Sequence, residues 1–255
     1  MKYFIDTEFK EYFKQHKLLG IKVGYPTPTI NLISIGIVCE DSREYYALNK
    51  ECDLNEICKD TWLWEHVITP IYIEHVHGDA RNYLGLNNNT IKSIFRDSGK
   101  SRQEIANEVF AFVNPISEEG SLNDNQWNKH LNKYRVLASE NRSIDFYGYH
   151  ADYDWVVFCQ LFGKMMDLPK GFPMYCKDLK QMFDEKADSM SSEQLSKIEY
   201  PSVTHNVLEY LDKTGMIDKA KHLKTHPLYP KQEDEHNALA DAKWNQKLYN
   251  FILNI

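Results

Sequence analysis

The sequence predicts an α/β protein in which a mixed sheet, three antiparallel strands followed by parallel strands, is flanked by helices. The N-terminal run KYFIDTEF and two further β-rich runs, Asn31–Asp41 and Arg43–Lys50, indicate a three-stranded antiparallel start. From the run SIDFYGYH onward strand and helix alternate, which is typical of parallel strands joined by helices. At 255 residues with 42% apolar content, one domain over residues 1–255 is expected.

The elements of the first half follow from local patterns. Residues 10–30 contain two prolines and resist one assignment, so a short helix and a loop are expected there as an insertion. The hairpin over residues 31–50 turns at a polar Glu-Asp-Ser sequence. The run TWLWEHVITPIYI is predicted to be helical up to Pro70, and the asparagines 87–89 to lie in an exposed loop.

The second half alternates more regularly. Ser101 and Glu104 fit a capping box that begins a helix. A charged, turn-prone stretch over 117–141 leads to the strand SIDFYGYH and then to a helix over 153–162. Residues 186–232 are expected to be a second insertion with short helices, and the last helix is expected over Ala238–Ile252.

Composition narrows the class of protein. The formal charge of −7 argues against a protein that holds long duplexes on a broad basic face. No run approaches the roughly 20 apolar residues that a membrane span requires, and no apolar signal region precedes the first strand. A cytoplasmic protein with no membrane partner and reduced cysteines is expected.

Carboxylates stand on faces that should be apolar. Because side chains of a strand alternate, Phe4, Asp6 and Glu8 share one face of the first strand. Asp154 shares a helical stripe with apolar residues at steps of three, four and seven, and Asp241 precedes Trp244 in the same way. Taken alone, Asp6 is explained as the cap of a turn, Asp154 as a first-turn residue of its helix and Asp241 as the partner of a lysine.

Together the four carboxylates indicate a metal site. An inward carboxylate is costly unless a cation or hydrogen-bond donors meet it, and four oxygen ligands favour Mg²⁺ or Mn²⁺. His236 lies five residues before Asp241, about 140° away on an ideal helix, so the two share a face only if His236 lies in the loop before that helix. A loop histidine beside a metal-bound carboxylate suits a general base.

These residues resemble the three signatures of the DEDDh (DnaQ-like) 3′–5′ exonucleases, which have the ribonuclease H-like fold. The signatures are Asp6-Thr7-Glu8 in an opening strand, Tyr153-Asp154 at the end of YHADYD, and His-x-Ala-x-x-Asp over 236–241. The segments DTEF, LISIGIV, YDWVVFCQLFG and HNALADA resemble more narrowly the bacterial polyadenylate-specific 3′-exoribonuclease AS family. His150 stands where many DEDDh enzymes have asparagine.

The resemblance implies a metal-dependent 3′–5′ exoribonuclease that removes nucleoside 5′-monophosphates from single-stranded RNA 3′ ends, with a homodimer as a frequent assembly. It implies two ions of Mg²⁺ or Mn²⁺ on Asp6, Glu8, Asp154 and Asp241, and His236 as the base. Thr7, Phe9, Tyr153 and His150 are the candidate substrate-binding residues, with both aromatic rings equally explained as core.

Two alternatives remain open at this point. One is an exonuclease acting on DNA or on dinucleotides, since no residue of the sequence identifies a contact to the ribose 2′-hydroxyl. The other is a protein that binds nucleic-acid ends without turnover.

Overall fold

The computed structural model describes residues 1–75, 85–114, 143–198, 210–211, 213–215 and 218–255. The strands in these ranges are β1 (Lys2–Lys14), β2 (Lys17–Leu18), β3 (Ile21–Lys22), β4 (Thr27–Cys39), β5 (Glu44–Leu48), β6 (Asp145–Gly148) and β7 (Lys177–Asp178). The helices are α1 (Leu54–Ile57), α2 (Thr61–Leu63), α3 (Thr69–His75), α4 (Asn88–Ser98), α5 (Arg102–Val113), α6 (Asp152–Phe162), α7 (Leu179–Ser189), α8 (Ser192–Ser196), α9 (Lys219–Leu223) and α10 (Ala238–Asn254).

The main sheet has the strand order β5-β4-β1-β6-β7. β1 and β4 pair antiparallel, as do β4 and β5, whereas β6 runs parallel to β1 and β7 parallel to β6. This confirms the predicted α/β class with a mixed sheet, and the arrangement is consistent with a ribonuclease H-like fold. β1 lies in the middle, where the antiparallel and parallel halves of the sheet meet.

Residues 10–30 continue the sheet, so the predicted short helix and loop are wrong. β1 extends to Lys14 and pairs with β4 from Thr27 onward. β2 and β3 form a small hairpin around Leu19 and Gly20, which both have positive φ, the geometry that a two-residue hairpin turn requires. Pairing between residues 13 to 21 positions apart, which local patterns do not reveal, decides the structure of this segment.

Two further predictions in the first half are corrected. The helical region continues past Pro70 to His75. A π-helical turn over Trp64–Ile68 lets the Thr69 N–H donate to the Trp64 carbonyl. The wider turn comes just before Pro70, which has no N–H to donate. The asparagines 87–89 begin α4 instead of forming a loop. The Asn87 side chain accepts hydrogen bonds from the backbone N–H groups of Asn89 and Thr90.

Other predicted elements are confirmed. Ser101 and Glu104 form the capping box of α5. The strand at 143–150 is present as β6, the helix at 153–162 as α6, and the last helix as α10. The charged stretch 117–141 lies outside the described residues. Within 186–232 the structure describes α8 and α9, as the prediction of short helices requires, whereas residues 199–209, 212 and 216–217 lie outside the described residues.

Helices cover both faces of the sheet. One apolar cluster joins Tyr3 and Ile5 to α5 and α6, and a second joins Phe4 to α7 and α10. A third packs α1 to α4 against Ile33 of β4 and Leu48 of β5. Among the described residues, no helix is both long and apolar enough to cross a membrane.

Candidate functional site

A pocket opens where β1 loses its parallel neighbour. β6 pairs with β1 only as far as Phe4. Beyond that point the Ile5 carbonyl accepts a hydrogen bond from the Asn245 amide at 3.0 Å, and the Thr7 N–H donates to the Asp154 carboxylate at 2.8 Å. Side chains from α10 and α6 thus replace the missing strand at this edge, and they border a cavity of about 360 Å³.

Gly36 brings α10 close to β1. It lies directly opposite Asp6 in the β1–β4 pair, and a Cβ at this position would come within 2.2 Å of the Ala238 carbonyl oxygen. Only glycine therefore lets the first turn of α10 rest on the sheet here. Asp241 follows one turn later, which places its carboxylate over Asp6 and Glu8.

Three of the four predicted carboxylates form one cluster. Asp6, Glu8 and Asp241 each offer an oxygen, and these oxygens lie within 4.8 Å of one another. Glu8 and Asp241 are buried and Asp6 is half-buried. Among the described residues, none of the three forms an ion pair with lysine or arginine, so the cluster is an acidic group without a cationic partner.

Asp154 borders the same pocket from the opposite face of the sheet. One oxygen of its carboxylate accepts hydrogen bonds from both the Thr7 N–H and the Thr7 hydroxyl, the latter at 2.6 Å. Asp154 is the third residue of α6, which has no side-chain cap. The first-turn position favours a negative charge, and the two Thr7 donors orient the carboxylate toward the pocket.

Burial raises the pKa of each carboxyl group, and the charges of the neighbouring site carboxylates add to it for Asp6 and Glu8. Burial is the main reason that the pKa of Asp6 lies well above its usual range, and the charges of Asp154, Glu8 and Asp241 add to it. Burial, with Asp241 and Asp154, raises the pKa of Glu8 to about 8. Burial raises the pKa of Asp154 to about 6 against the opposing effect of the Thr7 hydrogen bonds. Such a site favours protons or another cation.

Asp241 is held by two donors. Gln232 donates from its amide to one carboxylate oxygen at 2.6 Å, and the His236 backbone N–H donates to the other at 2.9 Å. Burial raises the pKa of Asp241, and these two hydrogen bonds act against that rise. The loop before α10 is therefore tied to the carboxylate that α10 contributes.

His236 lies in that loop, in the turn before α10, as its distance from Asp241 required. Its backbone has φ of +67°, a conformation uncommon outside glycine. Its ring packs edge-on against Trp62, with centroids 4.7 Å apart, and against His66 at 5.8 Å. Trp62 and His66 are themselves stacked, so α2 and the π-helical turn hold the ring at the rim of the pocket.

The predicted substrate-binding residues all border the pocket. Phe9 and Tyr153 contact each other with centroids 5.7 Å apart; Phe9 is half-buried, and Tyr153 is 48% exposed. His150 is exposed, has φ of +54°, and packs against Tyr149. Thr7 is buried and acts on Asp154.

The structure adds residues that sequence reasoning missed. Asn245 is buried four residues after Asp241, and a polar residue on an apolar stripe was a signal that could have identified it. Gln232, Trp62 and His66 carried no such signal, because their role depends on contacts between distant segments.

Comparison with known proteins identifies a family. The family model described as a 3′-5′ exoribonuclease Rv2179c-like domain matches residues 2–253. The 3′-5′ exoribonuclease Rv2179c of Mycobacterium tuberculosis (strain ATCC 25618 / H37Rv) is 27% identical over 186 residues, which cover 73% of this chain and 76% of that protein. The 3′-5′ exoribonuclease MT2234.1 of strain CDC 1551 / Oshkosh matches to the same extent. The DEDDh class and the polyadenylate-specific AS family stay predictions. With nearly its whole length matched, the chain belongs to the Rv2179c-like 3′-5′ exoribonuclease family.

Proposed function

We propose that this protein is a divalent-metal-dependent enzyme of the DEDDh type that removes nucleoside 5′-monophosphates from the 3′ ends of single-stranded RNA. The observation that carries the proposal is the cluster of Asp6, Glu8 and Asp241, whose oxygens lie within 4.8 Å of one another. The chain that forms this cluster belongs to an exoribonuclease family.

The donor set fits Mg²⁺ or Mn²⁺. All candidate ligands are carboxylate oxygens, which these hard cations prefer. Asp6, Glu8 and Asp241 would hold one ion, and Asp6 with Asp154 a second. Ions in such a site lower the pKa of a water molecule and neutralise charge on the scissile phosphate and the departing oxygen. The raised pKa values of Asp6 and Glu8 support this proposal, since they express a strong preference of the pocket for positive charge.

His236 is proposed as the general base. A neutral imidazole nitrogen accepts the proton of the attacking water, and the ring then carries the charge close to the acidic cluster, which stabilises the imidazolium. The backbone hydrogen bond to Asp241 fixes the position of the residue, while contacts with Trp62 and His66 restrict the ring. The departing ribose 3′ oxygen takes a proton from solvent.

The terminal nucleotide would lie against Phe9 and Tyr153. Stacking on an aromatic ring tolerates any base but requires that the base be unpaired, which favours a single strand. Thr7 acts through Asp154, whose carboxylate it orients. His150, which is exposed and borders the pocket, would contact the substrate at the mouth of the pocket.

A gel time course tests the proposal. RNA and DNA strands of one sequence, labelled at the 5′ end, are incubated with Mg²⁺, with Mn²⁺ or with chelator, beside the variant Asp241→Asn. A ladder that shortens from the 3′ end of RNA, absent with chelator and with the variant, is expected. Faster shortening of DNA would replace the proposed substrate, and an intact strand that is nonetheless retarded on a native gel would indicate binding without turnover.

A further inference from the structure

An arm formed by residues 10–31 projects from the pocket along β1. The antiparallel pair of β1 with β4 continues from Lys10 opposite Asn31 to Lys14 opposite Thr27. At the tip the side chains of Leu18, Leu19 and Ile21 are at least 65% exposed. The arm is therefore an extension of the strand that carries two of the carboxylates, and it lies largely in solvent.

One face of the arm continues the carboxylate face of β1. Alternation places Lys10, Tyr12 and Lys14 on the side of Asp6 and Glu8. The bulge between Glu8 and Phe9 has its extra residue in β4, so the alternation within β1 is not interrupted. The residues of β4 opposite these positions share that face. They are Asn31, Thr29 and Thr27.

This face is basic and polar, unlike the opposite one. Lys10 forms an ion pair with Asp60, whereas Lys14 is exposed. Tyr12 is half-buried between them. The opposite face carries Glu11 and the exposed ring of Phe13. Lys10 and Lys14 supply the positive charge of this face, and the sequence of the whole arm contains four lysines and one glutamate in a chain of charge −7.

The spacing places these residues beyond the terminal nucleotide. At about 3.3 Å per residue, Tyr12 lies about 13 Å and Lys14 about 20 Å along the strand from Glu8. A nucleotide in the 360 Å³ pocket does not extend that far, so the face meets the chain upstream of it. A lysine beside an aromatic ring is the combination that binds phosphate and base of a single strand.

We propose that Tyr12 and Lys14 bind the single-stranded RNA upstream of its 3′ end, Lys14 through a phosphate and Tyr12 by stacking. The inference rests on the proposed function: the pocket binds the terminal nucleotide, and the arm binds the RNA chain upstream of it. RNA fits this face better than a protein does, because the apolar side chains that a protein partner would cover lie at the tip and on the opposite face.

Binding is measured by fluorescence anisotropy in chelator, with a 5′-labelled RNA of about 12 nucleotides, within the range of single-strand site sizes. The double variant Tyr12→Ala/Lys14→Ala is expected to bind this RNA at least about 10-fold more weakly than wild type. The slope of log K against log salt concentration is expected to fall in magnitude by about 0.7, for one lost phosphate contact. Lys14→Glu alone keeps the packing of Tyr12 and is expected to weaken binding as well. With Mg²⁺ present, hydrolysis of a dinucleotide by these variants is expected to match wild type.

Phe13→Ser is the matched control on the opposite face and is expected to leave RNA affinity unchanged. The proposal is overturned if wild type does not bind, if Lys14→Glu binds like wild type, or if Phe13→Ser weakens binding equally while light scattering shows loss of a dimer. If wild type binds through the arm yet hydrolyses neither RNA nor dinucleotide, the proposed function fails and the arm contact stands.

Discussion

Replacing Glu8 by glutamine is expected to stabilise the metal-free protein. The pKa of Glu8 rises from 4.5 to about 8 on folding, chiefly by burial and then by the charges of Asp241 and Asp154. Since the folded state holds the proton more tightly, it binds more protons than the unfolded state between these two pH values. Stability therefore falls as pH rises through that window.

The magnitude follows from the shift. At pH 7 the unfolded glutamate is deprotonated, so the chain must take up a proton when it folds. This lowers the free energy of unfolding by up to about 3 kcal/mol, at 1.36 kcal/mol per pH unit. Asp241 and Asp154 also bind protons in the folded state, and this relieves part of their repulsion with Glu8. The loss of stability expected from Glu8 alone is therefore about 2 kcal/mol. Glutamine removes this cost, which raises Tm by about 4–8 °C for a chain of this size. At pH 5 the gain falls below about 1 kcal/mol.

The assay is urea unfolding followed by tryptophan fluorescence in chelator at pH 5 and pH 7. Glu185→Gln makes the same chemical change at an exposed position of α7 and is expected to alter stability by less than about 0.5 kcal/mol. Added Mg²⁺ is expected to stabilise wild type more than Glu8→Gln. A variant no more stable than wild type at pH 7, or a gain that does not depend on pH, would refute the reasoning.

Four further predictions concern the same site. Asp241→Asn is expected to lower hydrolysis by more than about 100-fold with the circular dichroism spectrum retained, since loss of mere outer-shell partners already costs 10–100-fold; wild-type turnover would remove Asp241 from the site. His236→Ala is expected to lower kcat by about 10²–10⁴-fold while Mg²⁺ affinity by calorimetry is kept, and Trp62→Ala by at most about 100-fold; an unchanged kcat in either would contradict the role given to it. Gly36→Ala places a methyl group 2.2 Å from the Ala238 carbonyl oxygen and is expected to cost about 1–3 kcal/mol or more in thermal unfolding, whereas an unchanged Tm would mean that α10 can move away freely.

The inward direction of the carboxylates was predictable because it is a local property. Alternation along β1 and helical spacing along α6 and α10 identify Asp6, Glu8, Asp154 and Asp241 from neighbours no more than seven residues away. The structure brings three of them together and places Asp154 across the sheet, next to Thr7.

What local patterns missed depends on partners far along the chain. The segment 10–30 became strand because β4 pairs with it, and Asn87 became a cap because α4 packs onto the core. Gln232 and Trp62 show the same for the site, since their contacts with Asp241 and His236 join segments that no periodicity links.

The sequence by itself determined which side chains turn inward and what chemistry they bring, because burial patterns repeat every two or 3.6 residues. Only the tertiary structure decided that these groups meet. A glycine opposite Asp6 lets α10 rest on the sheet, and the early end of β6 leaves an edge for Asn245 and Asp154 to fill. Both depend on the close packing of elements far apart in sequence, where one added methyl group already disturbs the packing.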